Sequence, residues 1–223
     1  MTISQAVEKV IKVKPFIIES LSEGLINISS LARRIHPTLE KIVGHPVKQG
    51  AIVMSLNRLV PQLVNNKTQN YNDLLSMLGD IIVRSNLTDY TFRNSSTIFK
   101  SHVNLMNVLK DYNDVFFTMV RGVFESNLIV GSGVCKFVES MFEHEDCTYK
   151  QDKLSAITLK LPANNVQSVG FYYQILKFIA WEGINVKEVV STTNEFSIIV
   201  SEDDVDHAFS ILKHLKNPAN LQY

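Results

Sequence analysis

Three short segments near the end of the chain decide its fold: VGFYYQIL (169–176), EGINV (182–186) and FSIIVSEDDV (196–205). The first is apolar with helical spacing and predicts a helix that ends at Gly183. The second and third carry β-branched and aromatic residues in alternation, which predicts two strands. The acidic residues that close the third segment are typical of the N-terminus of a second helix.

A strand precedes these segments, so the predicted order of the whole module is βαββα. The predicted elements are a strand at 156–161, a helix at 169–181, strands at 185–191 and 196–201, and a helix at 203–215.

The same order of elements occurs once more in the middle of the chain, offset by roughly 68–70 residues. The predicted elements are a strand at 88–93, a helix at 96–111, a hairpin at 115–123 and 126–131, and a helix at 134–143. Residue identity between the two copies is low, so the repeat lies in the pattern. Two ferredoxin-like modules follow, each an antiparallel sheet with two helices on one face.

The final module resembles the ACT domain of amino-acid metabolism, in particular the regulatory repeats of aspartate kinases. In that family a glycine occupies the strand-to-helix turn, Gly-Ile-Asn-Val opens the second strand, and an acidic step caps the second helix. Gly170, the run 183–186 and the pair Asp203-Asp204 match these features in order. The resemblance covers about 65 residues of the chain.

The resemblance implies a site for a small-molecule amino acid and a homodimer formed through the ACT sheets. A glycine lets a ligand approach the backbone, helix N–H groups can hold a carboxylate, and the Asn185 amide offers a donor and an acceptor. In the alternative interpretation, Gly170 and Asn185 are only turn residues. The implied ligand-binding residues are Asn164, Asn165, Val169, Gly170, Asn185 and Val186.

The middle module lacks this motif. A Ser/Asn cluster, 94–96, takes the place of Gly170, and 112–115 does not match Gly-Ile-Asn-Val. We interpret it as a degenerate ACT-like module.

Residues 1–64 are predicted to be helical and carry eight Lys/Arg against four Asp/Glu, a net charge of +4. Breaks are expected at His36-Pro37 and at Gly44, and a kink or an end at Pro61. The pattern resembles a winged-helix or helix-turn-helix unit, for which DNA is the implied partner. The alternative is a helical bundle that packs on the ACT pair or dimerises. The candidate nucleic-acid-binding residues are Arg33, Arg34, Lys48, Gln49 and Arg58.

No set of residues predicts catalysis, a cofactor or a metal. The run 131–133 lacks the Lys-Ser/Thr of a phosphate-binding loop, and the pair His144 and Cys147 lacks a second pair of ligands. Cys135 falls on an apolar helix face without a base beside it. Charged residues interrupt the first 14 positions, and no apolar run approaches a membrane span, so a cytoplasmic protein without a membrane partner is expected.

The predicted fold class is α+β, with an N-terminal winged-helix-like domain followed by two ferredoxin-like βαββα(β) ACT modules. The predicted boundaries are 1–64 for the helical domain, 65–84 for a connector, 85–152 for the degenerate module and 153–223 for the ACT module. The expected function is a regulatory protein that senses an amino acid and transmits it to a DNA- or protein-binding N-terminal domain. The alternative is a stand-alone regulatory or assembly subunit that resembles the non-catalytic part of aspartate kinase.

Overall fold

A computed structural model describes residues 1–22, 24–168 and 170–216, with the side chains of 15, 19, 22 and 62–74 outside that description. The chain divides into two compact units, Met1–Asp73 and Leu74–Tyr223. The finer boundaries predicted at 64, 84 and 152 stay a prediction.

The first unit is built from helices α1 (Ile3–Lys12), α2 (Pro15–Ser22), α3 (Ile28–Val43) and the larger part of α4 (Gln49–Ser76). Local signals set their ends, because Thr2 caps α1 in a capping box and Gly44 ends α3 with φ 82°. The fully buried residues include Ile11, Leu39, Ile52 and Leu56. The described residues of this unit contain no strand, so they lack the β wing of a winged-helix domain.

The predicted break at His36-Pro37 is wrong, because α3 continues through it, and α4 does not end at Pro61. Helix α4 also continues through residues 65–70 of the predicted connector. Both prolines are exposed on the solvent side, where a helix can bend to accommodate the missing hydrogen bond. The buried stripe of α3 also extends across Pro37, from Leu31 to Leu39.

The second unit confirms the repeated order of elements and forms one antiparallel sheet of six strands, ordered β2-β3-β1-β4-β6-β5. Its elements are β1 (Ile81–Arg93), α5 (Ile98–Leu109), β2 (Phe117–Arg121), β3 (Glu125–Gly131), α6 (Cys135–Met141), β4 (Cys147–Lys160), α7 (Phe171–Trp181), β5 (Glu188–Ser191), β6 (Glu195–Ser201) and α8 (Val205–Leu215).

The two central strands are twice as long as predicted, with 13 residues in β1 and 14 in β4. The end of β1, from Leu87, pairs with β3 and with the beginning of β4, whereas its beginning at 81–84 pairs with 156–159. Each module therefore takes its fourth strand from the first strand of the other. Asn86 (φ 59°) and Lys153 (φ 55°) lie where the register shifts, so each long strand has a bulge between its two halves.

The helices α5 to α8 pack on one face of the sheet. Tyr90, Phe92 and Val130 belong to the cluster under α5 and α6, and Ile157 and Ile198 to the cluster under α7 and α8. The opposite face has its own small buried cluster, formed by Leu87, Ile129, Leu154, Ala156 and Ile199. Phe116 beside β2 and Val190 in β5 both pack against that cluster, although they come from opposite edges of the sheet. Both faces of the sheet therefore contain buried apolar residues.

Candidate functional site: the helix N-termini of the two modules

Gly170 lies directly before the first residue of α7 and has φ 84°, in the left-handed region. A residue with a Cβ is strained in this conformation, so the turn from β4 into α7 requires glycine. Gly170 also brings no side chain to cap the first turn of the helix. Val169, which the resemblance places in the site, lies outside the described residues.

Asn165 connects two loops of the second module. Its side chain is buried, and its Nδ2 donates to Pro162 O (2.8 Å) and to Thr193 O (2.9 Å). Its Oδ1 is buried without a partner among the described residues. Asn164 is exposed, and its carbonyl accepts from the Ser168 hydroxyl (3.0 Å). Asn165 thus fixes the loop before α7 to the β5–β6 turn, and only its Oδ1 remains available to accept a hydrogen bond.

The variant Asn165→Ala tests this connection. Both hydrogen bonds from the Asn165 amide to main-chain carbonyls are lost, at about 0.5–1.5 kcal/mol each, so we expect the free energy of unfolding to fall by about 1–3 kcal/mol. Urea denaturation followed by circular dichroism measures the change. Asn164→Ala is the matched control and should lie within about 0.5 kcal/mol of the unmodified chain, because Asn164 is exposed. Equal losses in the two variants would contradict the connecting role of Asn165.

Asn185 and Val186 lie at the other end of α7. The helix ends before Gly183 (φ 75°), and Asn185 is exposed in the loop that precedes β5, so it does not open that strand as predicted. Val186 packs against the module core. Helix α7 has 11 residues, which corresponds to about 16 Å between its ends. Within one copy of the chain, Gly170 and Asn185 do not converge on one cavity.

The first module has a side-chain carboxylate at the matching helix N-terminus. The Ser95 hydroxyl accepts from the N–H groups of Thr97 (3.1 Å) and Ile98 (3.0 Å), and it donates to Glu145. Ser101, in the first turn of α5, donates to the other carboxylate oxygen (2.9 Å). Burial works against ionisation, but these hydroxyl hydrogen bonds outweigh it and hold the pKa of Glu145 below its ordinary value. Neither Glu145 nor Ser101 was predicted as a site residue.

The five residues predicted to bind nucleic acid, four basic residues and Gln49, are all exposed in the first unit. Gln49 and Arg58 are nine residues apart on α4, which places them on opposite sides of that helix. Arg58 Nε donates to Met54 O of its own helix (3.4 Å). An open hollow of about 500 Å³ in this unit is lined by Pro37, Glu40, Lys41, Gly44, His45 and Pro46, and by none of the five. Their role in binding stays a prediction.

Within 1–22, 24–168 and 170–216, no group of three His, Cys, Asp or Glu side chains could hold a metal ion. Across the same residues, no helix is both long and apolar enough to cross a membrane. Cys135 is half-buried and Cys147 exposed, and both are free thiols.

No protein-family model matches the chain, and no curated protein matches it. Solved structures do. The aspartate kinase of Clostridium acetobutylicum is similar over 61% of this chain and 34% of its own, with a TM-score of 0.51 and 14% identity. The aspartate kinase of Synechocystis is similar over 62% of this chain and 27% of its own, with a TM-score of 0.52 and 11% identity.

A chain from a structure of aspartokinase alpha and beta subunits is similar over 66% of this chain and 99% of its own, with a TM-score of 0.51 and 14% identity. The similarity to the Clostridium acetobutylicum kinase spans about a third of the length of that kinase. At these identities the likeness concerns the fold. The resemblance to the ACT repeats of aspartate kinases that the sequence predicted is confirmed in the fold of this protein.

Proposed function

We propose that this protein is a non-catalytic regulator that binds an amino acid at the N-terminus of α7. The observation that carries the proposal is the left-handed Gly170 directly before that helix. A glycine there leaves room for a ligand close to the backbone, and the N–H groups of a helix N-terminus attract a carboxylate. Asn164 and Asn165 belong to the same loop, and the buried Asn165 Oδ1 can accept from a ligand ammonium group.

The site is completed by a second copy of the chain. Gly170 and Asn185 lie about 16 Å apart at opposite ends of α7, so one copy supplies only half of the residues. Strand β5 is an edge of the sheet and pairs only with β6 among the described strands. Antiparallel pairing of β5 with β5 of a second copy is a two-fold arrangement. It reverses the direction of α7, and therefore brings the Gly170 end of one copy toward the Asn185 end of the other.

The N-terminal helical unit is the output in this proposal, in the cytoplasm, with DNA or a protein as its partner. Arg33, Arg34, Lys48 and Arg58 would contact phosphates and Gln49 a base edge. Because Gln49 and Arg58 lie on opposite sides of α4, one duplex can engage both only if this helix enters the major groove and contacts its two walls.

One observation favours a second candidate, a stand-alone regulatory subunit that docks on an amino-acid-biosynthetic enzyme. The similar aspartokinase subunit chain is covered over 99% of its length, so the shared fold occurs there as a separate chain. Recovery of a kinase by the immobilised protein, without affinity for duplex DNA, would favour this candidate over a transcription regulator.

A thermal-shift titration with the twenty amino acids tests the sensing step. A ligand present at about 100 times its Kd adds about 2.7 kcal/mol of stability, which corresponds to an increase in Tm of roughly 5–10 °C for a chain of this size. At least one amino acid should produce such an increase at millimolar concentration.

The variant Gly170→Ala should lose this response, because its Cβ occupies the approach to the backbone. Gly44→Ala is the matched control, since Gly44 has the same left-handed conformation (φ 82°) at the end of α3, far along the chain from the site. It should lose stability but keep the full ligand-induced shift. No response to any amino acid, or an equal response in Gly170→Ala and the unmodified chain, would refute binding at this turn.

A further inference from the structure

The first module contains a buried carboxylate at the place where the second module has none. Glu145 is 9% exposed and lies two residues before β4. Ser95 joins it to the first N–H groups of α5, and Ser101 holds its second oxygen at 2.9 Å. A helix N-terminus attracts anions, so the carboxylate satisfies both the hydroxyl donors and the positive end of the helix.

The main-chain hydrogen bonds identify the matching position in the second module. Arg93 is the last residue of β1, and its N–H donates to Asp146 O (2.9 Å) just before β4. Lys160 is the last residue of β4, and its N–H donates to Asp80 O (3.0 Å) just before β1. Asp146 therefore corresponds to Asp80, and Glu145 corresponds to Gly79. A Cβ added to Gly79 would lie 2.9 Å from the Lys160 Cβ, so this position cannot carry an acidic side chain without a backbone shift.

A second buried polar side chain, His102, lies near the Glu145 carboxylate. His102 follows Ser101 in α5, is 4% exposed, and has no hydrogen-bond partner for either ring nitrogen within the described residues. Its ring lies edge-on to Phe142 at 4.9 Å between centroids, and burial lowers the pKa of His102 although the Glu145 carboxylate opposes this shift. The surroundings of the Glu145 carboxylate thus include two hydroxyl groups that donate to it, and a buried imidazole whose nitrogens have no partner within the described residues.

We propose that Glu145 is a built-in ligand, which occupies a carboxylate-binding site at the N-terminus of α5 and keeps the first module permanently filled. A small carboxylate from solution is the class of ligand that this site would bind if Glu145 were shortened. A regulatory role, in which the first module does not respond to ligand and the second does, rests on the proposed function. The carboxylate-binding site at α5 does not depend on that function.

The variant Glu145→Ala removes a –CH2–COO⁻ group, for which acetate is the nearest small match in solution. The buried Ser101 hydroxyl loses its acceptor and the half-buried Ser95 hydroxyl loses its hydrogen bond to the carboxylate, so the Tm of the full chain should fall by roughly 5–10 °C. Sodium acetate should restore at least half of that loss. Formate should restore part of it, and benzoate, which is too large for the vacated space, should restore none beyond sodium chloride of equal ionic strength.

Glu143→Ala is the matched control, because Glu143 is exposed in the same segment and its carboxylate lies 3.1 Å from Nε2 of the exposed His144. Its Tm should be the same in acetate and in chloride. Glu145→Gln keeps the volume of the side chain and should not respond to acetate, because the amide fills the site. If Glu145→Ala does not fold in chloride, refolding in acetate becomes the measurement, and acetate-dependent recovery supports the proposal.

A Glu145→Ala chain that gains no more from acetate than from chloride overturns the built-in ligand, and so does an equal gain in Glu143→Ala. These results are independent of the amino-acid titration of the unmodified chain, which reports on α7. An unmodified chain that responds to amino acids while Glu145→Ala ignores acetate leaves the proposed function intact and removes only this inference.

Discussion

A fragment of residues 153–223 is expected to remain unfolded, although the sequence predicts these residues to be a complete ACT module. The fragment lacks 81–84, which supplies the fourth strand of the second module by pairing with 156–159. It also lacks Leu75 and Leu78, which are 2% and 3% exposed in the core of that module, and Ile81, which packs on the same core. Burial of each of these side chains contributes about 1.5–3 kcal/mol, so their sum is comparable with the whole stability of a small domain.

The matched control is a fragment of residues 74–223, which retains both central strands and every residue of that core. It should give the circular dichroism spectrum of a mixed α/β protein and a single cooperative transition in urea, whereas 153–223 should give neither. Cooperative unfolding of a monomeric 153–223 fragment would show that the shared strands are dispensable.

The elements that sequence reasoning located correctly have local signals. Helix α1 lies within the stretch predicted to be helical, and β6 begins one residue before the prediction. Glycines end α3 and α7 where expected, because the left-handed conformation at a helix C-terminus selects this residue. The repeated order of elements followed from such signals alone, without detectable identity between the copies.

The missing halves of β1 and β4 have no such signal. Residues 83–86 and 149–153 are almost all exposed and include charged side chains, so they do not alternate between apolar and polar. They become strands because each pairs with the central strand of the other module, some 70 residues away. Pairing over that separation depends on the tertiary fold, which a local pattern does not encode.

Of the two candidate sites, one has a local sequence signal and the other does not. Gly170 could be found because a single residue type is required at that turn. Glu145 could not, because its partners Ser95 and Ser101 are 50 and 44 residues away and none of the three belongs to a motif. The resemblance placed Gly170 and Asn185 in one site, but α7 lies between them. The length of this helix keeps the two residues apart within one copy of the chain.

Asp89→Asn is expected to stabilise the protein by about 2–3 kcal/mol near pH 8 and to have little effect near pH 4. Asp89 is 3% exposed and lies in β1, where it pairs with Ile129 of β3. Burial, opposed by the hydrogen bond from Asn127 and reinforced by Glu188, raises the pKa of Asp89 from 3.8 to about 6. The folded chain therefore favours the protonated acid, whose stabilising effect is complete below pH 3.8 and is lost as the pH rises through about 6.

An asparagine at position 89 is neutral at every pH and can still accept from Asn127 Nδ2, which lies 2.7 Å from the aspartate oxygen in the unmodified chain. Urea denaturation across this pH range measures the difference between variant and unmodified chain, so that effects of other titrating groups largely cancel. Asp111→Asn removes one exposed charge and serves as the control, with an expected change within about 0.5 kcal/mol at both ends of the range. A stability gain from Asp89→Asn that does not grow with pH would mean that the cost arises from packing, since only the ionised carboxylate is penalised by burial.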